Sequence, residues 1–231
     1  VSARFETAAR RLFFSLQPMS GDGAFLDADG VLQMRIDGQT ESLLARADLG
    51  VRGDHNVANV LAAALAARVS GVDLDTIRRV LAGFRGISLR LQEVARTDEV
   101  AWVNDVKATT PEAALAAVTA FDAPLHVIVG GGDKGLDYSR LAAAVQARAC
   151  HLVVLDSAGG RRVAAAVEAA GGPARITFVP DLEAAVNEAR RAAQPGDVVL
   201  LSPACPGMFS MFMDDARGFN ALVRGAAAGA P

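Results

Sequence analysis

The chain is poor in residues that usually mark specialised chemistry. Its 231 residues include two cysteines, three histidines, one tryptophan and one tyrosine. Cys150 and Cys205 lie far apart, without Cys-x-x-Cys or Cys/His spacing. That excludes a zinc ribbon or a disulfide scaffold and makes both thiols read as small core residues. No apolar run reaches about 18 residues, so no transmembrane helix is expected. Arg4, Glu6, Arg10 and Arg11 interrupt the opening segment, so no secretory signal is expected either. With 23 Lys and Arg against 26 Asp and Glu, the net charge is −3. Neither sign dominates enough to argue for a nucleic-acid or membrane partner. A GxxxxGK[ST] loop is absent, and so is GxGxxG after a strand, which excludes a plain NAD-binding fingerprint.

What is present is a 52% hydrophobic composition, long enough for a core without metal or disulfides. In residues 1–85, "LFFSL" (Leu12–Leu16) reads as a short strand. "GAFLDADGVLQMRIDG" reads as a hairpin turning at Asp27-Ala28-Asp29-Gly30. "HNVANVLAAALAARVSG" predicts a helix ended by Gly71, and "DLDTIRRVLAGF" a second helix capped by Asp73. The glycines of "GFRGIS" (Gly83–Ser88) predict a hinge.

After Arg90 the rhythm changes. Apolar runs at Val100–Val103, Leu125–Val129, His151–Leu155, Ile176–Val179 and Val198–Leu201 alternate with helical patterns. The helices are predicted at Pro111–Ala120, Tyr138–Arg148, Arg161–Ala170 and Leu182–Ala193, with a last one over Asp214–Ala228. Such alternation predicts an α/β domain with a Rossmann-like, mostly parallel sheet. In such sheets ligands gather at the carboxyl ends of the strands.

Three strand ends carry candidate chemistry. The first, "AWVNDVKATTPEAAL", runs from an apolar strand into Asn104, Asp105 and Lys107. It then starts a helix with Thr110 as N-cap, Pro111 at N1 and Glu112 toward the dipole. A helix N-terminus beside a lysine suits an anion; a solvated Asp105–Lys107 pair is the competing reading. The second is "VGGGDKGLDY" (Val129–Tyr138), whose glycines permit close backbone approach and whose Lys134 adds charge. The third, "LLSPACPGMF" (Leu200–Phe209), is stiffened by Pro203 and Pro206. Together they predict a site for a carboxylate or phosphate. His126 and His151 read as core or edge residues.

These segments, with "GDHNVANVLAAALAA" (Gly53–Ala67), resemble the Mur ligases, and within them the branch that adds D-glutamate. The patterns resembled are G-x-H-N-x-x-N, N-D-S-K-A-T-N, G-G-x-x-K-G-x-D-[FY] and L-L-S-P-A-C-A-S, in that order along nearly the whole chain. The resemblance implies peptidoglycan precursor synthesis by a cytoplasmic ligase. ATP phosphorylates the carboxylate of UDP-N-acetylmuramoyl-L-alanine, D-glutamate attacks the acyl phosphate, and ADP and phosphate are released. ATP and Mg2+ are the implied cofactors, UDP-N-acetylmuramoyl-L-alanine and D-glutamate the partners, and a monomer the expected state. Residues 1–85 would be part of the central ATPase domain without its P-loop, and residues 86–231 the Rossmann-like ligase domain. The resemblance also implies lid-type closure about Gly83–Ser88.

Site residues follow from the matched motifs. Asn56, Asn59, Arg90 and Asp105 are implied for ATP, and Lys107 as the catalytic cation between nucleotide and acceptor. Thr109, Lys134, Gly207 and Met208 are implied for D-glutamate; no metal ligand is implied within the chain. The pattern departs from the family at Ser88 (proline), Leu89 (histidine), Val106 (serine) and Gly207 (serine). The family's phenylalanines after that last motif fall on Met211 and Asp214, or on Phe212 after a one-residue shift. Because the P-loop and sugar-binding domain have no counterpart here, the chain is expected to be a fragment that does not ligate alone. A non-catalytic nucleotide- or amino-acid-binding module, and a ligase for another acidic amino acid, remain alternatives.

Overall fold

The structure, a computed structural model, describes residues 8–148, 150–206 and 218–224. The chain divides into two compact units, residues 1–85 and 86–231. In the first, β1 (Phe13–Ser15), β2 (Gly23–Leu26), β3 (Val31–Ile36) and β4 (Gln39–Ala45) form one sheet in that order. β2 and β3 pair antiparallel around the predicted Asp27–Gly30 turn, where the Asp27 carboxylate accepts the N–H groups of Asp29 and Val31. β1 pairs with β2 in parallel. The polar sequence of β4 hid it from pattern reading, because only Leu43 along it is buried. Helices α1 (Asp54–Val69) and α2 (Leu74–Gly83) cover the sheet, sharing a core of Leu32, Leu61, Ile77 and Leu81. Asp73 caps α2 by accepting the Thr76 N–H, as its position predicts.

The second unit is the α/β domain that strand–helix alternation predicts. Its elements are β5 (Gln92–Thr97), β6 (Val100–Asn104), α3 (Pro111–Val118), β7 (Leu125–Gly130), α4 (Ser139–Ala147), β8 (His151–Leu155), α5 (Ala158–Ala170), β9 (Arg175–Val179), α6 (Leu182–Ala192) and β10 (Val198–Ala204). The sheet order is β5-β6-β10-β7-β8-β9. All neighbours are parallel except the edge pair β5–β6. The four interior strands are buried along their whole length, which explains their unbroken apolar sequences. β5 was not foreseen; it is an edge strand with only Val94 buried, so it carries no apolar run. Each sheet face builds a core, one around Val127, Leu141, Leu152 and Val163, the other around Trp102, Ile128, Val199 and Phe219.

α5 begins at Ala158, three residues before the expected start at Arg161. Its first turn holds Gly159 and Gly160, which propensity alone assigns to a loop. Residues 218–224 are helical; the rest of the helix expected over Asp214–Ala228 lies outside the described residues.

Candidate functional site

β10 lies between β6 and β7, so the three loops singled out in the sequence leave neighbouring strands at one end of the sheet. They are bonded into one rim. Ala204 N–H donates to Ala108 O at 2.9 Å, joining the β10 loop to the β6 loop, and Gly132 N–H donates to Pro206 O at 2.8 Å, joining it to the β7 loop. Ser202 Oγ, fully buried on β10, donates to Asp105 Oδ2 at 3.2 Å. Tyr138 Oη stands 3.5 Å from Cys205 Sγ, tying the far end of the glycine-rich loop to β10. Gly130 and Gly131 take φ values of 149° and 143°, which side chains disfavour, as the chain turns off β7. Ala204 pays a similar conformational cost at φ 60°, at the register shift where β10 leaves the sheet.

Asp105 follows β6 and is 6% exposed. Its carboxylate accepts the Leu91 N–H at 3.1 Å besides the Ser202 hydroxyl. Burial pushes its pKa up to about 6, against the opposing effects of Leu91 N–H, Ser202 and the Arg90 charge. Arg90 is exposed and sits between Leu89 (φ 65°) and Leu91 (φ 43°), an unusual pair of left-handed leucines. Leu89 O accepts the Lys107 N–H at 3.4 Å, so the segment around Arg90 wraps the loop that carries Asp105 and Lys107.

Lys107 occupies the turn after Asp105 and is half-buried, as is Thr109. Thr110 caps α3 by accepting the Ala113 N–H, with Pro111 in the first turn, as the sequence predicts. Lys134 is exposed in the loop after β7. Neither lysine has an ion-pair partner among the described residues, where acidic side chains instead pair with arginine or histidine. The two lysines are the only ones among 23 Lys and Arg in the chain. Arginine serves everywhere else, and this restriction of lysine to the rim is a sequence signal that motif reading passed over.

Asn56 and Asn59 lie on α1 of the first unit; Asn56 donates to Arg52 O at 2.7 Å and Asn59 is exposed. Gly207, Met208, Met211, Phe212 and Asp214 lie outside the described residues. Two departures from the family pattern turn inward. Val106 is 1% exposed in the core with Trp102 and Ile128, and Leu89 packs against the same cluster. Both act as packing residues rather than as vacated ligand positions.

Sequence reading missed Ser202, which holds Asp105, and the β8–α5 turn, which touches the glycine-rich loop. Ser202 lies within the third motif, but nothing in the sequence pairs it with Asp105, and only the fold brings these groups together. His126 and His151 stand at the opposite, amino-terminal end of the sheet. Their Nδ1 atoms are 3.1 Å apart, with Asp197 on His126 Nε2 and Thr177 on His151 Nε2, both at 3.0 Å. They are buried core groups away from the rim, in keeping with their sequence reading. Among the described residues no cluster of three or more His, Cys, Asp or Glu side chains could hold a metal ion, and no helix is long and apolar enough to cross a membrane.

Comparison with known proteins gives the same picture. The chain is 41% identical over 197 residues to the UDP-N-acetylmuramoylalanine–D-glutamate ligase of Salinibacter ruber, covering 84% of this chain and 42% of that protein. It is 37% identical over 232 residues to the ligase of that name from Acidobacterium capsulatum, covering 98% and 50%. The chain thus spans about half the length of the curated relatives it matches. Among solved structures, a murein peptide ligase from Psychrobacter arcticus aligns with a TM-score of 0.59 at 18% identity, over 90% of this chain and 46% of that one. The bifunctional folylpolyglutamate synthase/dihydrofolate synthase of Yersinia pestis aligns with a TM-score of 0.61 at 19% identity, over 84% and 45%. At those identities the likeness is one of fold. The family model described as Mur ligase, glutamate ligase domain matches residues 89–205, which cover β5 through β10 and the first two rim loops, and the chain therefore belongs to the Mur ligase family.

Proposed function

We propose that this chain is the acceptor-side part of an ATP-dependent ligase that joins D-glutamate to UDP-N-acetylmuramoyl-L-alanine in peptidoglycan precursor synthesis. The observation that carries the reading is the rim itself. Both lysines of the chain stand on strand-end loops that flank β10 and are each hydrogen-bonded to its end, without anionic partners among the described residues. Two ammonium groups placed this way suit substrates that carry carboxylates and phosphates. Similarity to proteins named as D-glutamate ligases supports the choice of amino acid.

In the proposed reaction the alanyl carboxylate takes the γ-phosphoryl group of ATP and releases ADP. The amine of D-glutamate then attacks the acyl carbon; the C–N bond forms, the C–O bond to phosphate breaks, and the amine loses a proton. Lys107 lies where the nucleotide and acceptor sides meet and opposes the charge that develops in both steps. Lys134 and Thr109 hold the D-glutamate carboxylates. Arg90 and Asp105 serve the nucleotide, with Asn56 and Asn59 supplied by the first unit, which we read as part of the central ATPase domain. Asp105 orders the Arg90 segment through the Leu91 N–H. Mg2+ is the implied counter-ion of the ATP phosphates, and no step is assigned to it. Gly83–Ser88 is the proposed hinge. Substrates built on ATP and a UDP-sugar place the activity in the cytoplasm, and the enzyme is proposed to act as a monomer.

The test is product formation by the whole ligase that includes this chain. Phosphate release should require ATP, UDP-N-acetylmuramoyl-L-alanine and D-glutamate together, and an amide product should appear by mass spectrometry. Preference for another amino acid in direct competition would refute the assigned acceptor. Absence of product with every acidic amino acid would refute catalysis.

A further inference from the structure

The β8–α5 turn, Asp156–Gly160, belongs to none of the motifs above, yet both acceptor-side loops rest on it. Ser157 caps α5, and its hydroxyl is fully engaged. It accepts Gly131 N–H at 2.9 Å and Gly160 N–H at 3.1 Å, and donates to Leu155 O at 3.1 Å. That uses the one donor and two acceptor positions a hydroxyl has. Gly159 N–H donates to Gly131 O at 2.9 Å, so each polar backbone atom of Gly131 is held by this turn.

Gly159 is required for space. A Cβ there would lie 2.6 Å from Gly132 O, 2.8 Å from Gly131 O and 2.7 Å from Cys205 Sγ. The first two atoms are backbone of the loop that carries Lys134; the third belongs to the buried residue that follows β10. The same glycine therefore touches both loops. The Gly159, Gly160 and Arg161 N–H groups are occupied by Gly131 O and by Ser157, which makes the turn a support for the loop.

We propose that Ser157 and Gly159 are positioning residues of the ligase: they set where the Lys134 loop stands relative to the Cys205–Pro206 end of β10, and so set the fit of the acidic acceptor. This rests on the function proposed above. Because nucleotide contacts are assigned to other residues, a defect here falls on the acceptor.

The experiment uses the whole ligase with Ser157→Ala, Ser157→Thr and Gly159→Ala. Two readouts are taken: KM for D-glutamate and for ATP, and hydrogen–deuterium exchange of peptides from the Gly130–Leu136 loop. Ser157→Ala should speed exchange in that loop while β7 residues Val127–Val129 stay protected. It should raise KM for D-glutamate at least about tenfold, the effect of losing an interaction of about 1.4 kcal/mol, with KM for ATP little changed. Ser157→Thr keeps the hydroxyl and should restore both readouts. Gly159→Ala should act in the same direction and more strongly; if it does not fold, the serine pair still decides. Unchanged loop exchange in Ser157→Ala overturns the latch. Faster exchange with an unchanged D-glutamate KM, or with an equal rise for ATP, overturns its role in acceptor fit. If the wild-type enzyme does not use D-glutamate, the functional reading fails, while the exchange data still judge the latch.

Discussion

Replacing Asp105 with asparagine should stabilise the second unit at neutral pH while it impairs the proposed enzyme. Burial raises the Asp105 pKa from 3.8 to about 6. A folded-state pKa above the unfolded value means that stability is full below pH 3.8 and is lost as pH rises through 6. The loss, a little over two pKa units, amounts to about 3 kcal/mol at pH 7.5 but only about 1 kcal/mol at pH 4.5. Asparagine cannot ionise, and it can keep both bonds: Oδ1 accepts the Leu91 N–H, and the amide donates to the Ser202 hydroxyl, which now accepts. The variant should therefore gain up to about 3 kcal/mol near pH 7.5 and about 1 kcal/mol near pH 4.5. Urea unfolding followed by the fluorescence of Trp102 reads this, since it is the chain's only tryptophan and lies buried on β6 just before Asp105. Taking the difference between the proteins at each pH cancels every other titration. A gain of the same size at both pH values, or a less stable variant at pH 7.5, would refute the argument that the buried charge is costly.

Lys134→Ala in the whole ligase should raise KM for D-glutamate about 10- to 100-fold, the worth of a charged hydrogen bond, and change KM for ATP little; Asp105→Asn should do the reverse. Lys134→Arg should also be impaired, because the wider guanidinium does not replace a compact ammonium; steady-state kinetics on the three variants checks the division. At the other end of the sheet, burial foremost, then the Arg175 charge, lowers the His151 pKa from 6.5 to about 4. Its contribution is present above pH 6.5 and lost as pH falls through 4, about 3 kcal/mol in all; His151→Asn should flatten that part of the urea-midpoint profile, and an unaltered slope would contradict it. Ile128→Ala, at a fully buried site on β7, should destabilise the second unit by about 2–5 kcal/mol, again read from Trp102.

The strands that sequence displays are those with apolar runs, whether fully buried or, like edge strand β9 with only Val179 buried, partly exposed. β6, β7, β8 and β10 are hidden on both faces and therefore spell continuous apolar runs. β4 and β5 are edge strands whose pairing is carried by the backbone, and their side chains do not announce it. The α5 boundary failed for another reason. Gly159 and Gly160 weaken a helix by propensity, but a Cβ on either meets backbone carbonyls, so packing overrides propensity there. The rim divides the same way. The positions of Lys107, Thr109 and Lys134 on strand-end loops were legible because strand–helix alternation marks where each loop begins. Ser202 and Ser157 were not, because each acts on a residue far away in sequence that topology alone delivers.

The two ends of the sheet also differ in what burial does to charge. At the carboxyl end, burial disfavours ionised Asp105, and stability falls as pH rises. At the amino end, burial disfavours protonated His151, and stability rises with pH. The contributions are similar, about 3 kcal/mol each, and their pH windows overlap between 4 and 6, so within the wild-type chain they largely cancel. The histidines keep their position at that cost because their hydrogen bonds close on themselves. The facing Nδ1 atoms lie 3.1 Å apart, Asp197 stands 3.0 Å from His126 Nε2, and Thr177 stands 3.0 Å from His151 Nε2. Asp105 has no such closed set: its listeners are the Leu91 N–H at the start of the unit and a serine hydroxyl on β10. In the proposed function, the stability lost at this carboxylate, bonded to the segment that carries Arg90, is exchanged for the placement of that cation at the nucleotide side.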